Sequence, residues 1–463
     1  MKVLLVHSAS NRRDDGNERK GAMHPLGLAY LASVLEQNDI EVKILDALIE
    51  GYDNEEQVRS GFIRYGLPRD KIADIIKEYR PTVVGVSSVH AYRYYEFMEV
   101  LEDAKKIDKE IVTVIGGSYS NYFWNDCINL SYIDYVIIGE AEYTFLQLIQ
   151  NIKNRDFDKN KLIDGIAFKF NGETISRPKS TWIKKIDTIP FPAYHLLPIE
   201  KYWSIGVGAG NYGTKRYATM ITSRGCPHSC EYCGKGLTSR PGYSQRSANN
   251  VFQEILELKK KYNINEIQFE DYNATVNRPR WIELCNLLIN ADLGITWSIT
   301  NGMNVSTLDK EMLEICANSG CDALYLAIEN HDQEFLDKMG KGVKKNHVEK
   351  VIKISKDLNI KVTGFFMIGN PNEPIDSMNK TVEWAKTLGL DYANFFIACP
   401  LPGSQFYEQS LKDNLLIENF HPSRLRYGLS NFKSRYFSSE QIEKYRYDVW
   451  MDFKRSINND NIR

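Results

Sequence analysis

Three cysteines within a short stretch carry the chain's most chemically loaded spacing. Cys226, Cys230 and Cys233 stand in Ser223-Arg224-Gly225-Cys226-Pro227-His228-Ser229-Cys230-Glu231-Tyr232-Cys233-Gly234, a Cys-x3-Cys-x2-Cys arrangement with Tyr232 directly before the last thiol. Three thiolates so placed can hold three irons of a four-iron, four-sulfur cluster and leave the fourth iron without a protein ligand. A structural zinc site needs four nitrogen or sulfur ligands; His228, as the fourth, falls between the first two cysteines and would strain a tetrahedron. A disulfide would leave an odd thiol and fits poorly with an intracellular chain. Arg224 and Lys235 flank the loop, as cations that either steady a negatively charged cluster or are simply solvated.

The cysteine loop closely resembles the signature of the radical S-adenosylmethionine (SAM) enzymes. The resemblance implies that SAM chelates the open iron through its amino and carboxylate groups, and that one electron cleaves it to a 5′-deoxyadenosyl radical. Phe269-Glu270-Asp271-Tyr272-Asn273 holds the place of the family's Gly-Gly-Glu element and resembles the Glu-Asp-Asp-Asn variant of cobalamin-dependent members. A carboxylate suits that place because the SAM ammonium is donor-only. Either Glu270 or Asp271 fits the role, or the loop is an acidic, solvated turn. Ala327-Ile328-Glu329-Asn330 is similar to the family's Ala-Ile-Glu-Ser and implies Glu329 near the SAM ribose or amino group. Ser298 and Asn301, at the end of the expected third strand, suit either the SAM carboxylate or a solvent-facing turn. Ile368-Gly369-Asn370-Pro371 resembles Ile-Gly-x-Pro, whose backbone at Gly369 would support adenine, and Pro400-Leu401-Pro402-Gly403-Ser404 resembles Pro-Leu-Pro-Gly-Thr. Both are also good turn sequences.

These residues need a scaffold, and strand and helix signals alternate across residues 216–410. The expected strands are Tyr217–Thr222, Glu266–Glu270, Ile295–Asn301, Ala323–Ile328, Lys361–Ile368 and Tyr392–Ala398. They resemble the partial (β/α)6 barrel of radical SAM enzymes, and barrel chemistry sits at the carboxyl ends of strands. Residues 411–463 read as a charged, aromatic C-terminal region, helical from Ser439 to Ile457 and placed to cap the barrel.

Residues 1–154 also alternate β-rich runs with helical patterns, which predicts a doubly wound parallel sheet of α/β class. Ligands of such sheets bind outside the carboxyl ends of the strands. Those ends carry Ser87, Ser88, Gly116, Gly117, Gly139 and Glu140, small residues for the most part, which let a large planar ligand approach the backbone. Pro25-Leu26-Gly27-Leu28, Gly116-Gly117 and Ile138-Gly139-Glu140 are similar to the cobalamin-binding domain fused ahead of many radical SAM domains; the resemblance implies cobalamin contacts from Leu26, Gly27 and the strand-end residues. A scaffold that has lost its corrinoid is the bland alternative. No Gly-x-Gly-x-x-Gly follows the first strand, which disfavours a nicotinamide cofactor. His24 and Gly27 keep the spacing of the Asp-x-His-x-x-Gly cobalt-ligating motif, with Ala22 in place of the acid. His24 is therefore expected to pack near the corrin rather than ligate the metal. Residues 155–215 read as a linker: a hairpin around Asn171-Gly172, the helix-breaking run Ile189-Pro190-Phe191-Pro192, and the glycine-rich Gly206–Gly213, a flap or a flexible tether.

At 463 residues two or three domains are expected. A net charge of −2 gives no reason to expect nucleic acid or an anionic membrane as the main partner. No apolar run approaches the ~18 residues of a membrane span, and the opening Met1–Val6 reads as a strand, not a signal peptide. Cys127, Cys285, Cys316, Cys321 and Cys399 lack metal spacing and read as packed thiols. A cytoplasmic, oxygen-sensitive protein is expected.

Both resemblances together imply a cobalamin-dependent radical SAM enzyme with a 4Fe–4S cluster, SAM and cobalamin. A C-methyltransferase acting on an unactivated carbon is the leading expectation. The insertion from Gly51 to Pro68 resembles that of relatives of anaerobic porphyrin cyclases and lipid methylases, so a cyclisation, rearrangement or oxidation without methyl transfer stays open. From another class, a corrinoid or redox sensor without turnover is the alternative. No Ser-His-Asp or paired-carboxylate constellation is evident. The substrate is a lipid, a tetrapyrrole, a peptide side chain or a natural-product precursor, and the reductant a flavodoxin or ferredoxin.

Overall fold

The computed structural model describes residues 1–16, 18–206, 216–234 and 242–460. Residues 207–213 of the glycine-rich stretch, and Lys235, fall outside that set. The chain divides into two compact units, whose described parts are residues 1–206 and residues 216–234 with 242–460.

The first unit is built on strands β1 (Lys2–His7), β2 (Ser10–Arg13), β3 (Glu41–Asp46), β4 (Glu55–Arg59), β5 (Phe62–Tyr65), β6 (Val83–Ser87), β7 (Val112–Gly116), β8 (Tyr135–Ile137), β9 (Ile166–Phe170) and β10 (Glu173–Arg177). The main sheet runs β10-β9-β8-β7-β6-β1-β3. From β3 to β8 every pairing is parallel. Counted among themselves, these five strands follow the order 2-1-3-4-5, with the topological switch between β1 and β6. Val3, Leu4, Leu5 and Val6 are all buried, as a strand covered on both faces requires.

Two features differ from the sequence expectation. The residues read as the first part of a linker belong to this unit. The β9–β10 hairpin turns at Asn171 (φ 51°) and Gly172 (φ 85°) as expected, but it also pairs antiparallel with β8 and extends the main sheet. Beyond it, Ile186 and Ile189 pack on Tyr30 and Val34 of the helix Leu26–Glu36. Segments that bury apolar side chains in this way are part of a core, not a tether. The Gly51–Pro68 insertion, in turn, supplies β4 and β5, which join β2 in a small antiparallel sheet.

The second unit holds β11 (Tyr217–Met220), β12 (Ser223–Gly225), β13 (Tyr243–Gln245), β14 (Glu266–Phe269), β15 (Thr296–Met303), β16 (Cys321–Glu329), β17 (Lys361–Ile368) and β18 (Tyr392–Ile397). Six of these form one parallel sheet in chain order, β11-β14-β15-β16-β17-β18, alternating with helices: the expected partial (β/α)6 barrel. The helix Ser439–Asp460 packs along the last strand. Phe453 meets Phe395 edge to face at 5.9 Å, and Arg446 Nε donates to the Phe395 carbonyl at 2.9 Å. An edge strand left bare would offer its carbonyls to other chains; this helix covers it. Among the described residues no helix is long and apolar enough to cross a membrane.

Candidate functional site

The cysteine loop leaves β11 between β12 and β13, which pair antiparallel and close its base. Buried charge fixes that base. Asp271 accepts from the Thr222 amide (3.0 Å), the Thr222 hydroxyl (2.8 Å) and the Ser223 hydroxyl (2.5 Å). Arg280 donates to the Thr222 carbonyl (3.2 Å) and to the Arg246 carbonyl (3.1 Å). The Cys233 amide turns back to the Cys230 carbonyl at 3.1 Å, and all three cysteines are half-buried. Burial pushes the Cys230 thiol up; Lys341 opposes that push, while Cys233, Glu329 and Cys226 add to it. Three half-buried thiols close enough to feel one another fit a group that draws thiolates together. His228 turns its Nε2 to the Asn304 side chain at 3.1 Å. Among the described residues no three His, Cys, Asp or Glu side chains close on a single ion. A four-iron cluster asks for something else, because each thiolate takes its own iron.

Around the carboxyl ends of the barrel strands the structure sorts the acidic candidates. Glu270 directly follows β14 and accepts from the Thr300 hydroxyl through Oε1 at 3.0 Å. Its Oε2 is buried without a hydrogen-bond partner. Burial pushes this carboxyl up to about 7, with the side chains of Thr300 and Asn301 opposing the rise and neighbouring Asp271 adding to it. Asp271 has both oxygens occupied by Thr222 and Ser223. Glu270 is thus the carboxylate with an unmet oxygen.

Glu329 ends β16 at a register shift, with φ 72°. The other described non-glycine residues in left-handed backbone follow helices or make the β9–β10 turn. A glutamate held this way in a strand costs about 1–3 kcal/mol, and such strain gathers at functional sites. Its Oε1 accepts from the Tyr232 hydroxyl at 2.7 Å and from Lys341 Nζ at 2.6 Å. Sequence reading missed Lys341; the available signal was a lysine between two glycines, Gly340 and Gly342, both left-handed at φ 69° and 70°.

Ser298 departs from expectation. The third strand begins at Thr296 and runs on to Met303, so Ser298 lies near its start, buried and level with Gln268. Thr300 and Asn301 stand closer to the carboxyl end, and Asn301 donates to the Glu270 carbonyl at 2.8 Å. Gly369 is left-handed at φ 74°, and a Cβ there would lie 2.8 Å from Ile442 of the C-terminal helix, so packing alone demands a glycine. Tyr272, after β14, and Tyr427, whose carbonyl accepts from the Ile397 amide at 2.8 Å, present half-exposed rings at these strand ends.

In the first unit, Ser87, Ser88, Gly116 and Gly117 come together at the ends of β6 and β7. Ser88 Oγ donates to the Gly116 carbonyl at 3.0 Å, and a Cβ on Gly117 (φ 119°) would lie 2.9 Å from Ser88 carbonyl carbon. Gly27 is exposed at the first turn of its helix with nothing within 4 Å of its missing side chain, while Leu26 is buried. Met23 and Val89 expose apolar side chains in the neighbouring loops. Gly27 leaves the first turn of its helix open, and Gly116 and Gly117 let Ile137 and Ser88 close in on the strand ends, small-residue surfaces that suit a flat corrin ring. Gly139 and Glu140 face the other way. A Cβ on Gly139 would meet Lys179 at 2.9 Å, and Glu140 Oε2 accepts from the Ile183 amide at 2.7 Å, so both hold residues 179–183 in place.

Beneath the switch point runs a buried polar chain. Arg93 Nη1 lies 2.5 Å from His7 Nε2, and His7 Nδ1 lies 2.9 Å from Asp46 Oδ1. Arginine only donates, so His7 carries its proton on Nδ1, toward Asp46. The Tyr202 hydroxyl donates to Asp46 Oδ2 at 2.5 Å. Burial pushes Asp46 up, but His7, Tyr202 and the Ile49 amide outweigh it and hold the carboxyl low. His24 is buried edge-on to the Tyr202 ring at 4.5 Å, and burial, partly offset by Asp46, pushes it down to about 4.

Two family models match the chain: the radical SAM superfamily over residues 220–385 and the B12 binding domain over residues 12–149. An uncharacterized methyltransferase of Pyrococcus horikoshii is 31% identical over 437 residues, covering 93% of this chain and 87% of that protein. The cytidylyl-2-hydroxyethylphosphonate methyltransferase of Streptomyces wedmorensis is 31% identical over 447 residues, covering 90% of this chain and 82% of its own. The anaerobic magnesium-protoporphyrin IX monomethyl ester cyclase of Rubrivivax gelatinosus is 28% identical over 425 residues, 91% of this chain and 72% of its own. Among solved structures, the radical SAM methyltransferase TsrM of Kitasatospora setae, with cobalamin and a [4Fe-4S] cluster bound, matches with a TM-score of 0.70 at 16% identity, over 96% of this chain and 84% of that one. At that identity the likeness is one of fold.

Proposed function

We propose that this chain, which belongs to the cobalamin-dependent radical SAM enzymes, is a methyltransferase acting on an unactivated carbon of its substrate. The observation that carries the reading is the pairing, in one chain, of a three-thiol loop beside an unmet buried carboxylate with small residues at the carboxyl ends of a doubly wound parallel sheet. Two relatives that span nine-tenths or more of the chain bear the methyltransferase name, which supports it.

When bound, the cluster and SAM supply one-electron hydrogen abstraction, and cobalamin supplies a methyl carrier. The protein's share is to hold and orient. Cys226, Cys230 and Cys233 take three irons. Glu270 accepts an N–H of the SAM amino group through its unmet oxygen, while Asp271 fixes the loop that presents the thiols. Glu329 faces the SAM ribose or amino group, and the backbone at Gly369 lines the adenine. Leu26, Gly27, Ser87, Ser88, Gly116 and Gly117 would contact the corrin, while Gly139 and Glu140 hold residues 179–183 in place. The half-exposed rings of Tyr272 and Tyr427 suit an apolar part of a lipid, tetrapyrrole, peptide or natural-product precursor. A flavodoxin or ferredoxin delivers the electron.

A second reading, radical cyclisation without methyl transfer, is favoured by the cyclase relative. Anaerobic incubation with SAM, dithionite and hydroxocobalamin tests the proposal. Deoxyadenosine release together with a product one methylene heavier than its substrate is expected. Deoxyadenosine with an isomerised or oxidised product would favour the second reading, and no deoxyadenosine at all would point to a sensor.

A further inference from the structure

The loop Gly340-Lys341-Gly342 lies against the cysteine loop, although more than a hundred residues separate them in sequence. Three contacts join the two. Asn304 Nδ2 bridges the Lys341 carbonyl and His228 Nε2, at 3.1 Å from each. A Cβ on Gly340 would lie 3.9 Å from the Ser229 carbonyl oxygen. Lys341 Nζ lies 2.6 Å from Glu329 Oε1 and 3.3 Å from the Tyr232 hydroxyl, next to Cys233 in sequence. The ammonium is largely buried, with a tenth of its side chain exposed, so solvent screens it little.

We propose that Lys341 is a positioning residue that clamps the cysteine loop through its backbone and, through its ammonium, raises the reduction potential of the cluster that loop holds. The inference rests on the cluster reading of Cys226, Cys230 and Cys233. Reduction adds one negative charge to the cluster. A fixed cation nearby stabilises the reduced form more than the oxidised form, and local charge is among the terms that set cluster potentials. Glu329 moderates the effect by pairing with the same ammonium, so removing either partner moves the potential in opposite directions.

The test uses the full chain, reconstituted anaerobically with iron and sulfide and titrated by EPR without SAM. In Lys341→Met the ratio of reduced to oxidised cluster at a fixed potential is expected to fall about tenfold, which is about 59 mV for a one-electron couple. Lys341→Arg keeps the charge and should stay within about twofold of wild type. Glu329→Gln leaves the ammonium uncompensated and should raise the ratio. If Lys341→Met assembles no cluster, Glu329→Gln decides alone. A Glu329→Gln ratio within about twofold of wild type, or an unshifted Lys341→Met that carries its full iron, overturns the inference while the cluster reading stands. A wild-type chain that assembles no cluster overturns both.

Discussion

Glu270 gives one carboxylate oxygen to the Thr300 hydroxyl at 3.0 Å and leaves the other buried without a partner. An acid in that state lacks one donor, and an N–H of the SAM amino group supplies it. A hydrogen bond to a charged group is worth about 1.5–3 kcal/mol, so Glu270→Gln should weaken SAM binding roughly 10–100-fold. The affinity should also depend on pH. With the carboxyl at about 7, only the ionised form accepts through both oxygens, so SAM binding should tighten as pH rises through 7. Calorimetric titration of the reconstituted enzyme at several pH values checks both. A flat profile that Glu270→Gln shares would refute the assignment.

Each single substitution of Cys226, Cys230 or Cys233 by alanine should abolish reductive cleavage of SAM and leave cobalamin binding by the first unit intact, since these thiols belong to the second. Iron content, deoxyadenosine and the cobalamin visible spectrum are the measurements. A triple variant that still forms deoxyadenosine would remove the cluster from its proposed place.

What the sequence made legible was periodic or local. The parallel strands read clearly because Val3–Val6 and their like form apolar runs, and the cysteine spacing is complete within one loop. Contacts between distant segments left no such mark. Lys341 reaches Glu329 and Tyr232 only through the barrel's order of strands, and Asp271 turned out to serve Thr222 and Ser223 some fifty residues earlier. Ser298 was misplaced along its strand because β15 runs past Asn301 to Met303. The β2-β5-β4 sheet escaped notice because its strands, such as Glu55–Arg59, are mostly polar and short of the usual strand signal.

Gly369→Ala should loosen the C-terminal helix. The substitution forces a side chain into left-handed backbone and drives Cβ to 2.8 Å from Ile442. Strain of about 1–3 kcal/mol and a similar overpacking cost fall on one contact. Limited proteolysis should cut within Ser439–Asp460 several-fold faster than in wild type. Ile442→Ala, which opens the space, should recover part of the protection if the clash is the cause.

His24 supplies the last prediction. Its folded-state pKa is lowered to about 4 from 6.5, so the unfolded chain binds a proton between those values that the folded one refuses. Stability from this group is therefore full above 6.5 and lost as pH falls toward 4, by about 3 kcal/mol at the lower end. Asp46, held low, keeps its own contribution until the pH drops below the usual carboxylate range. The first unit's denaturation midpoint should thus decline from pH 7 to pH 4, and His24→Phe should flatten that decline. Edge-on burial against Tyr202 gives His24 a packing role. The EPR spectrum of bound cob(II)alamin should accordingly show no nitrogen superhyperfine splitting from the protein and be the same in His24→Ala. Splitting that vanishes in that variant would make His24 the axial ligand and overturn the packing role.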